Sequence, residues 1–303
     1  MAGNLRKVKA SMMNAIHDLP LLVARDEGFF RDQGLDVEIL RTPGSGQRDS
    51  DHQALRSNIF ERTMESLYDQ GACDQFRMCE WGVMKRAVES NAAQGHRPAK
   101  IVALGSAMST FALVADPGRG LYEPEQLKDK SIGVSPFNGS HFTTLKLLEG
   151  FLKREQIKTT FAGTMKQRIE ALRRGEVAAV SLMEPWISYA EKLGLRVLME
   201  SHSTRSEAAG EELDGPTLGK MFAAEAEAAT AIAGNPAKYA HYLIEEAGGL
   251  LEPKELRLSR ILNAPPEPYT RERFQHTYEW TRDWGLVPAG ATFENTVDNR
   301  AWQ

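Results

Sequence analysis

Residues 12–40 read MMNAIHDLPLLVARDEGFFRDQGLDVEIL and decide the fold. Apolar residues recur at near-helical spacing across 21–30, which predicts a helix. Gly34 stands where a left-handed residue would close that helix. Residues 35–40 then follow a strand pattern, and residues 5–12 alternate between apolar and polar side chains just before the stretch. The chain therefore begins as strand, helix and strand, which is typical of an α/β sheet.

Length and composition narrow the function before any motif is considered. The 303 residues are 42% hydrophobic and 26% charged, enough for two domains that each bury a core. The 37 basic and 41 acidic residues give a net charge of −4, without a basic block that would follow a phosphate backbone. We therefore expect no nucleic-acid partner. No apolar run approaches the roughly 20 residues that span a bilayer, so we expect no direct membrane insertion.

Cysteines and the first residues bear on the compartment. Cys73 and Cys79 are too few for a disulfide scaffold, and they lack a second ligand pair at zinc spacing. Neither a metal nor a cofactor is expected. Residues 1–14 contain no continuous apolar core of a secretory signal. The sequence as written thus predicts a cytoplasmic protein, or a periplasmic one if a signal peptide was trimmed from this start.

The opening stretch also resembles a known family. Pro20, Ala24, the Gly28–Phe30 triplet and the Gly34–Val37 segment match the first conserved phrase of the SsuA/THI5-like (NMT1-like) substrate-binding proteins, which bind sulfonates, nitrate and thiamine precursors. Four later segments are similar to further phrases of that family, so the resemblance covers about residues 5–300. They are 121–154, 168–180, 182–200 and 285–300.

The resemblance implies a complete architecture. We expect an α/β, two-domain type II periplasmic-binding-protein-like fold with an interdomain ligand cleft and two hinge crossovers. Domain I would comprise residues 1–108 plus 218–303, and domain II residues 109–217. Hinge closure would then bury the ligand. Between the domains we predict separate strands at 101–104 and 111–114 and, after a polar loop at 201–215, a second crossover near 217–223.

Polar side chains follow two predicted strands of domain I, at the edge where α/β sheets bind ligands. His17 and Asp18 come after the first strand, as a turn or helix cap or as a polar pair facing the ligand. Glu80 and Trp81 come after a short strand at 76–79. Together they suit an amine or a cationic ring, and burial would make Glu80 a general base. The alternative is that Glu80 caps a helix and Trp81 belongs to the core.

Cys79 is the third candidate for chemistry in domain I. It precedes a predicted helix and has Arg77 nearby, two features that lower a thiol pKa and favour a nucleophile. The alternative is an inert, buried small hydrophobe. Both interpretations stay open.

In domain II the best-founded contact is a helix N-terminus. A strand at 131–134 and a turn precede a helix predicted at 140–153, so backbone N–H groups and the helix dipole favour an anion there. The residues concerned are Asn138, Gly139, Ser140 and His141. Simple capping by Asn138 or Ser140 is the alternative.

Four further domain II residues are predicted to contact the ligand. Ser109 and Thr110 lie in the small polar stretch of the first crossover. Glu184 and Trp186 lie just beyond a strand, where Glu184 would orient a planar ligand and Trp186 would stack on it. The alternative for the last pair is that Pro185 and Trp186 only begin a helix. A polar loop is also predicted at 42–51.

Two functions remain open on this fold. The first, slightly favoured, is the substrate-binding component of an ABC-type importer, whose partner is a permease and whose ligand is a small organic anion or planar heterocycle of the sulfonate, carboxylate, nitrate-like or pyrimidine class. The second is a cytoplasmic enzyme, a lyase or hydrolase acting on a small aromatic or heterocyclic acid through Glu80, Cys79 and His17.

Neither enzymatic chemistry of the resembling proteins carries over residue by residue. The desulfinases have a nucleophilic cysteine in the loop after the first strand, where this chain has Ala15 and Ile16. The pyrimidine synthases have a lysine and a histidine at the positions that align with Met78 and Gly82. The decarboxylases are a more distant resemblance.

Overall fold

The computed structural model describes residues 5–41, 64–92 and 96–303. The strands are β1 (Arg6–Met12), β2 (Leu35–Arg41), β3 (Gln75–Cys79), β4 (Lys100–Ala115), β5 (Ser131–Val134), β6 (Lys158–Phe161), β7 (Ala179–Met183), β8 (Arg196–Ala209) and β9 (Ile261–Asn263). The helices are α1 (Ala15–Asp26), α2 (Phe29–Asp32), α3 (Met64–Asp69), α4 (Glu80–Ala92), α5 (Gly139–Leu148), α6 (Met165–Arg174), α7 (Trp186–Lys192), α8 (Gly215–Gly234), α9 (Pro236–Glu246), α10 (Arg271–Asp283) and α11 (Phe293–Thr296). The loop predicted at 42–51 lies outside the described residues.

The chain forms two compact units. Unit 1 comprises Met1–Ala107, Thr204–Tyr239 and Asn263–Gln303, and unit 2 comprises Met108–Ser203 and Ala240–Leu262. The sequence-based bounds place all of 218–303 in domain I, whereas 240–262 packs with unit 2. Within unit 2, Lys192 Nζ donates to the Leu250 carbonyl at 3.0 Å and binds Glu255 at 2.8 Å, which ties that segment down.

In unit 1 the strand order is β2-β1-β3-β8. β1 is parallel to β2, with Val8 opposite Val37, and parallel to β3. β3 is antiparallel to β8, with Cys79 opposite Arg205. The carboxyl ends of β1 and β3 therefore share one edge of the sheet, as the sequence pattern predicted for this domain.

The segment after β1, in which a turn or helix cap was the simpler expectation for His17 and Asp18, is already helical. Helix α1 begins at once, because the Asn14 side chain accepts the His17 N–H at 3.0 Å and caps it. Asp18 departs from helical geometry at φ −121° and ψ 18°, which kinks the helix. Gly28, at φ +89°, then separates α1 from α2, so two helices stand where one was predicted.

In unit 2 the strand order is β4-β7-β5-β6. β5 lies between β7 and β6 and is parallel to both, while β4 is antiparallel to β7. A core under α6 and α7 includes Ile169, Leu172 and Ile187. Helix α6 is closed at its start by a Thr164–Gln167 capping box and at its end by Gly175, at φ +80°.

Four predicted features differ from the structure. The strands expected at 101–104 and 111–114 are one continuous strand, β4. Helix α5 ends at Leu148, before Gly150, rather than at 153. The loop expected at 201–215 is strand β8 as far as Ala209, and the crossover expected near 217–223 lies inside helix α8. The polar side chains of β8 misled the prediction because Arg205 and Glu207 are buried and bond to residues on other elements, among them Asp18 and Gln75.

Two features are absent from the described residues. No helix there is long and apolar enough to cross a membrane. Nor do these residues contain a group of three or more His, Cys, Asp or Glu side chains that could hold a metal ion.

Candidate ligand-binding residues

Asp18 holds the junction between β1 and α1. Its Oδ2 accepts the backbone N–H groups of Met13 at 2.7 Å and Asn14 at 3.2 Å. Its Oδ1 lies 3.4 Å from Arg205 Nη2 and 3.9 Å from Arg77 Nε. Since the side chain is fully buried, this carboxylate serves the turn and two guanidinium groups.

His17 is held as a neutral imidazole. Its Nδ1 is in hydrogen-bond contact with Arg205 Nη1, and a guanidinium can only donate, so Nδ1 accepts and the ring proton is on Nε2. Burial, followed by the charge of Arg205, lowers the His17 pKa well below 6.5. A neutral ring of this kind is a poor general acid at neutral pH.

Arg77 and Arg205 form the centre of a buried ion network with Asp18, Glu207 and Glu225. Arg77 lies 3.0 Å from Glu207 Oε2 and 2.7 Å from Glu225 Oε1. Arg205 Nη2 donates to the Arg77 carbonyl at 2.9 Å. All five side chains are at least 98% buried. Within the described structure, three carboxylates therefore surround two guanidinium groups.

Two neutral side chains donate hydrogen bonds to the carboxylates of this network. Gln75 Nε2 donates to Glu207 at 2.6 Å, and Ser106 Oγ donates to Glu225 at 2.9 Å. Burial raises the Glu207 pKa to about 7, against the charge of Arg77 and with help from Glu225. A partly protonated Glu207 brings the network close to neutrality at pH 7.

Glu80 is saturated with donors. Its Oε1 accepts from Tyr269 at 2.6 Å, Arg273 Nε at 2.7 Å and Thr277 at 2.6 Å. Its Oε2 accepts from Thr204 at 2.9 Å and from Arg273 Nη2. Burial opposes ionisation, but the hydrogen bonds and charge of Arg273 outweigh it and lower the Glu80 pKa. A carboxylate so placed is a weak base with no lone pair left over.

Trp81 and Cys79 flank Glu80 in different surroundings. Trp81 packs on Trp280 at a ring-centroid distance of 5.7 Å, and Trp280 packs in turn on Trp284. Cys79 is buried on β3, and burial raises the pKa of its thiol to about 12. At neutral pH it is therefore a thiol rather than the thiolate that a nucleophile requires.

A cavity of about 350 Å³ lies in unit 1 beside the Glu80–Arg273 pair. None of the predicted ligand contacts lines it. The lining residues are Leu104, Glu267, Pro268, Tyr269, Thr270, Glu272, Arg273 and His276.

In unit 2 the start of α5 is built around the turn after β5. Asn138 Oδ1 accepts the Gly139 N–H at 2.5 Å as the helix cap. Ser140 Oγ accepts the Ser135 N–H at 2.9 Å, which fastens the turn to the helix. The Asn138 cap, which was the alternative to anion binding, is therefore present. The positive end of the helix dipole lies at the same turn.

His141 fixes the strained residue of the same turn. Phe137, at φ +54°, donates its N–H to His141 Nδ1 at 3.2 Å and meets the ring edge-on. Burial lowers the His141 pKa below 6.5, so the ring is neutral with its proton on Nε2.

The other predicted contacts of unit 2 lie in two places. Ser109 and Thr110 are buried within β4. Thr110 Oγ1 is 3.2 Å from His202 Nδ1, whereas Ser109 Oγ has no hydrogen-bond partner among the residues described. Glu184 is fully buried and accepts from Ser188 Oγ at 3.0 Å.

Glu184 and Trp186 are both tied into unit 2. Arg260 Nη1 binds Glu184 at 3.2 Å and Glu191 at 2.8 Å. Burial raises the Glu184 pKa although Ser188 and Arg260 oppose the change. Trp186 is half-buried and meets Tyr189 edge-on at 6.1 Å.

Sequence reasoning missed Arg168. This α6 residue is only 6% exposed, and its guanidinium donates to two backbone carbonyls, Gly163 O at 3.2 Å and Ser181 O at 2.9 Å. Burial lowers its pKa to about 10. Its position in the sequence could have indicated this burial, because Arg168 lies four residues before Leu172 on the apolar face of an amphipathic helix.

Comparison with known proteins gives the fold its context. Neither a protein-family model nor a curated protein matches the sequence. Among solved structures, the periplasmic aliphatic sulphonate-binding protein SsuA from Escherichia coli is 16% identical, with 99% of this chain and 92% of that chain covered and a TM-score of 0.70. The periplasmic nitrate-binding protein NrtA from Synechocystis PCC 6803 is 14% identical over 98% and 87%, with a TM-score of 0.71.

This chain has the type II periplasmic-binding-protein fold. The fold predicted from the SsuA-like resemblance is thereby confirmed. The desulfurization enzyme DSZB shares it, at 11% identity over 98% of this chain and 97% of that chain with a TM-score of 0.62. Because the fold carries both binding proteins and an enzyme, the side chains have to distinguish the two functions.

Proposed function

We propose that this protein captures a small organic anion or planar heterocycle as the substrate-binding component of an ABC-type importer. The observation that carries the proposal is a shared fold over nearly the whole length of SsuA and NrtA, two proteins whose names state sulphonate and nitrate binding. A permease is then the partner. Binding between the two domains stays a prediction.

The three candidate catalytic side chains support binding over catalysis. The Cys79 thiol has a pKa of about 12, the Glu80 carboxylate is held ionised by Arg273, and His17 is held neutral by burial and by the charge of Arg205. A nucleophile requires a thiolate, a general base requires a pKa close to neutrality, and a general acid requires a proton to donate, and none of these side chains meets its requirement. The enzymatic hypothesis therefore lacks an activated group among these three.

The ligand contacts remain part of the proposal. Those at the start of α5 have the best support, since its N-terminal dipole accompanies the neutral N–H donor of His141. Ser109 adds a buried hydroxyl with no partner in the described part of the chain. Asp18 and Glu80 have the least support, because other side chains and backbone groups already occupy their oxygens.

The test is a binding assay that also detects turnover. We would titrate the purified protein by calorimetry with aromatic and aliphatic sulfonates, carboxylates, nitrate and pyrimidines, and then weigh each recovered binder by mass spectrometry. The proposal predicts micromolar or tighter binding, about −8 kcal/mol, with unchanged ligand mass. A binder recovered with an altered mass would make the protein an enzyme.

A matched variant separates the predicted contacts from general effects. Ser109→Ala removes the hydroxyl and should weaken the binder by about threefold to tenfold, while Ser66→Ala on helix α3 of unit 1 should leave it unchanged. Equal affinity of both variants would remove Ser109 from the contacts without affecting the binding function itself.

A further inference from the structure

Arg168 is a buried guanidinium without a carboxylate. Its guanidinium donates to two neutral carbonyls, and burial alone lowers its pKa, so no acidic side chain among the described residues balances its charge. Burying an unpaired cation is costly. A protein that keeps such a cation is a candidate for receiving the missing negative charge from a ligand.

The position of the guanidinium follows from its two acceptors. Gly163 comes just after β6, whereas Ser181 lies in β7, and β5 runs between those strands. Because Gly133 of β5 pairs with Val180, Ser181 stands beside Val134, the last residue of β5. The guanidinium therefore spans the carboxyl end of β5, the edge at which parallel sheets bind ligands.

One terminal nitrogen remains open to a ligand. Nε and Nη1 of Arg168 are used by the carbonyls, and no bond to Nη2 is found within the described residues. Nη2 is not one of the fully buried polar atoms that lack a hydrogen-bond partner. Since it has no partner among the described residues, it is therefore in contact with solvent. Its two hydrogens are available to an oxyanion.

A second positive feature borders the same edge. The chain leaves β5 at Val134 and reaches the Asn138 cap of α5 four residues later. The N-terminal dipole of α5 adds about half a positive charge there. The guanidinium and the helix end thus create a positive potential at one end of β5.

We infer that Arg168 binds an oxyanion of the ligand at the carboxyl end of β5, and that the ligand is an acid rather than a neutral heterocycle. The inference rests on the proposed function and narrows its ligand class. Sulfonate, carboxylate and nitrate-like groups all provide the oxygen that Nη2 requires.

The first experiment does not depend on the natural ligand. Inorganic sulfate is titrated into 15N-labelled protein while the Arg168 Nε–Hε signal is followed by NMR, with the assignment made by its loss in Arg168→Met. We expect a saturable shift of that signal. A signal that stays in place up to about 50 mM sulfate, several times a weak anion Kd, would overturn the site.

The second experiment tests charge recognition with matched probes. Benzenesulfonate and benzoate are compared with the uncharged benzenesulfonamide and benzamide, using wild type, Arg168→Met and, as a control, Arg173→Met on the exposed face of α6. Arg168→Met should weaken the acids at least about tenfold and the amides less than about threefold, with no change in the control.

The outcomes separate the two proposals. An equal loss for acids and amides would mean that Arg168 only shapes the site, and no loss would mean that it does not touch the ligand; either overturns the inference. If wild type binds none of the four probes, the proposed function fails for this ligand class while the sulfate titration still decides whether Arg168 binds anions.

Discussion

The two units bury arginine in opposite ways. In unit 1, Arg77 lies between Glu207 and Glu225 within 3.0 Å of each, so the buried cation has more than one counter-charge. In unit 2, Arg168 is also buried, but among the described residues its guanidinium bonds to backbone carbonyls and to no carboxylate. A saturated guanidinium has its charge satisfied by the fold, whereas an unsaturated one has charge left for a ligand.

The pKa values of the two arginines express the same contrast. Burial lowers the pKa of both side chains. For Arg77 the charges of Glu207, Glu225 and Asp18 outweigh burial and raise the pKa above its usual value. For Arg168 nothing offsets burial, and the pKa falls to about 10. Arg77 is thus the structural cation and Arg168 the candidate binding cation.

The largest effect is expected from Arg77→Met. The substitution leaves Glu207 and Glu225 buried without their cation, and breaking a buried pair in this way costs about 3 to 5 kcal/mol of unfolding free energy. Urea unfolding at pH 7 measures the loss. The control, Arg31→Met at an exposed position of α2, should stay within about 0.5 kcal/mol of wild type. A loss below about 1 kcal/mol for Arg77→Met would mean that the network does not stabilise unit 1.

A smaller effect is expected from the pH dependence of Glu207. Its pKa is raised to about 7 in the folded state, from 4.5, so the folded protein binds more protons than the unfolded chain between those values. The stabilisation is therefore complete below about pH 4.5 and is lost as the pH rises through 7. Between pH 5 and 8, wild type should lose about 2 kcal/mol relative to Glu207→Gln.

Urea unfolding of both proteins across that pH range gives the difference directly. The lowered pKa of His17 changes the unfolding free energy with pH in the opposite direction. Below pH 6.5 the ring binds a proton in the unfolded chain but stays neutral in the folded protein. That slope is common to both proteins and cancels in the comparison. A difference independent of pH would show that Glu207 is ionised throughout and that the network is charged.

These networks also explain what the sequence could and could not predict. The strand, helix and strand of residues 5–40 were predictable because their apolar spacing is local. Strand β8 was not, because Arg205 and Glu207 look like loop residues until their partners are known, and Gln75 lies 132 residues away from Glu207. Polarity indicates exposure only when no buried counter-charge exists elsewhere in the chain.

The partners of the candidate site residues could not be predicted for the same reason. The edge positions of Glu80 and Asp18 followed from strand ends, but the donors that occupy their oxygens come from Tyr269, Arg273 and Thr277 in one case and from Arg205 in the other. Arg168 was hidden in a conventional helical pattern. Its burial follows from the register of α6 together with the position of Ser181, which sequence spacing does not give.

The smallest effect is expected from Arg168→Met without an anion. Removing the cation relieves its unpaired burial but leaves the Gly163 and Ser181 carbonyls without donors, and the two terms should offset to within about 1 kcal/mol of unfolding free energy. Sodium sulfate then distinguishes the cation from a neutral side chain. Sulfate stabilises any folded protein by exclusion from its surface, so the informative quantity is the difference between wild type and Arg168→Met, with Arg173→Met as the control. At 100 mM sulfate, a site with a Kd of about 10 mM adds about 1.4 kcal/mol to the unfolding free energy of wild type and of Arg173→Met. Arg168→Met should not gain this contribution. If sulfate instead stabilises all three proteins equally, Arg168 holds no anion and the two units bury arginine for the same structural purpose.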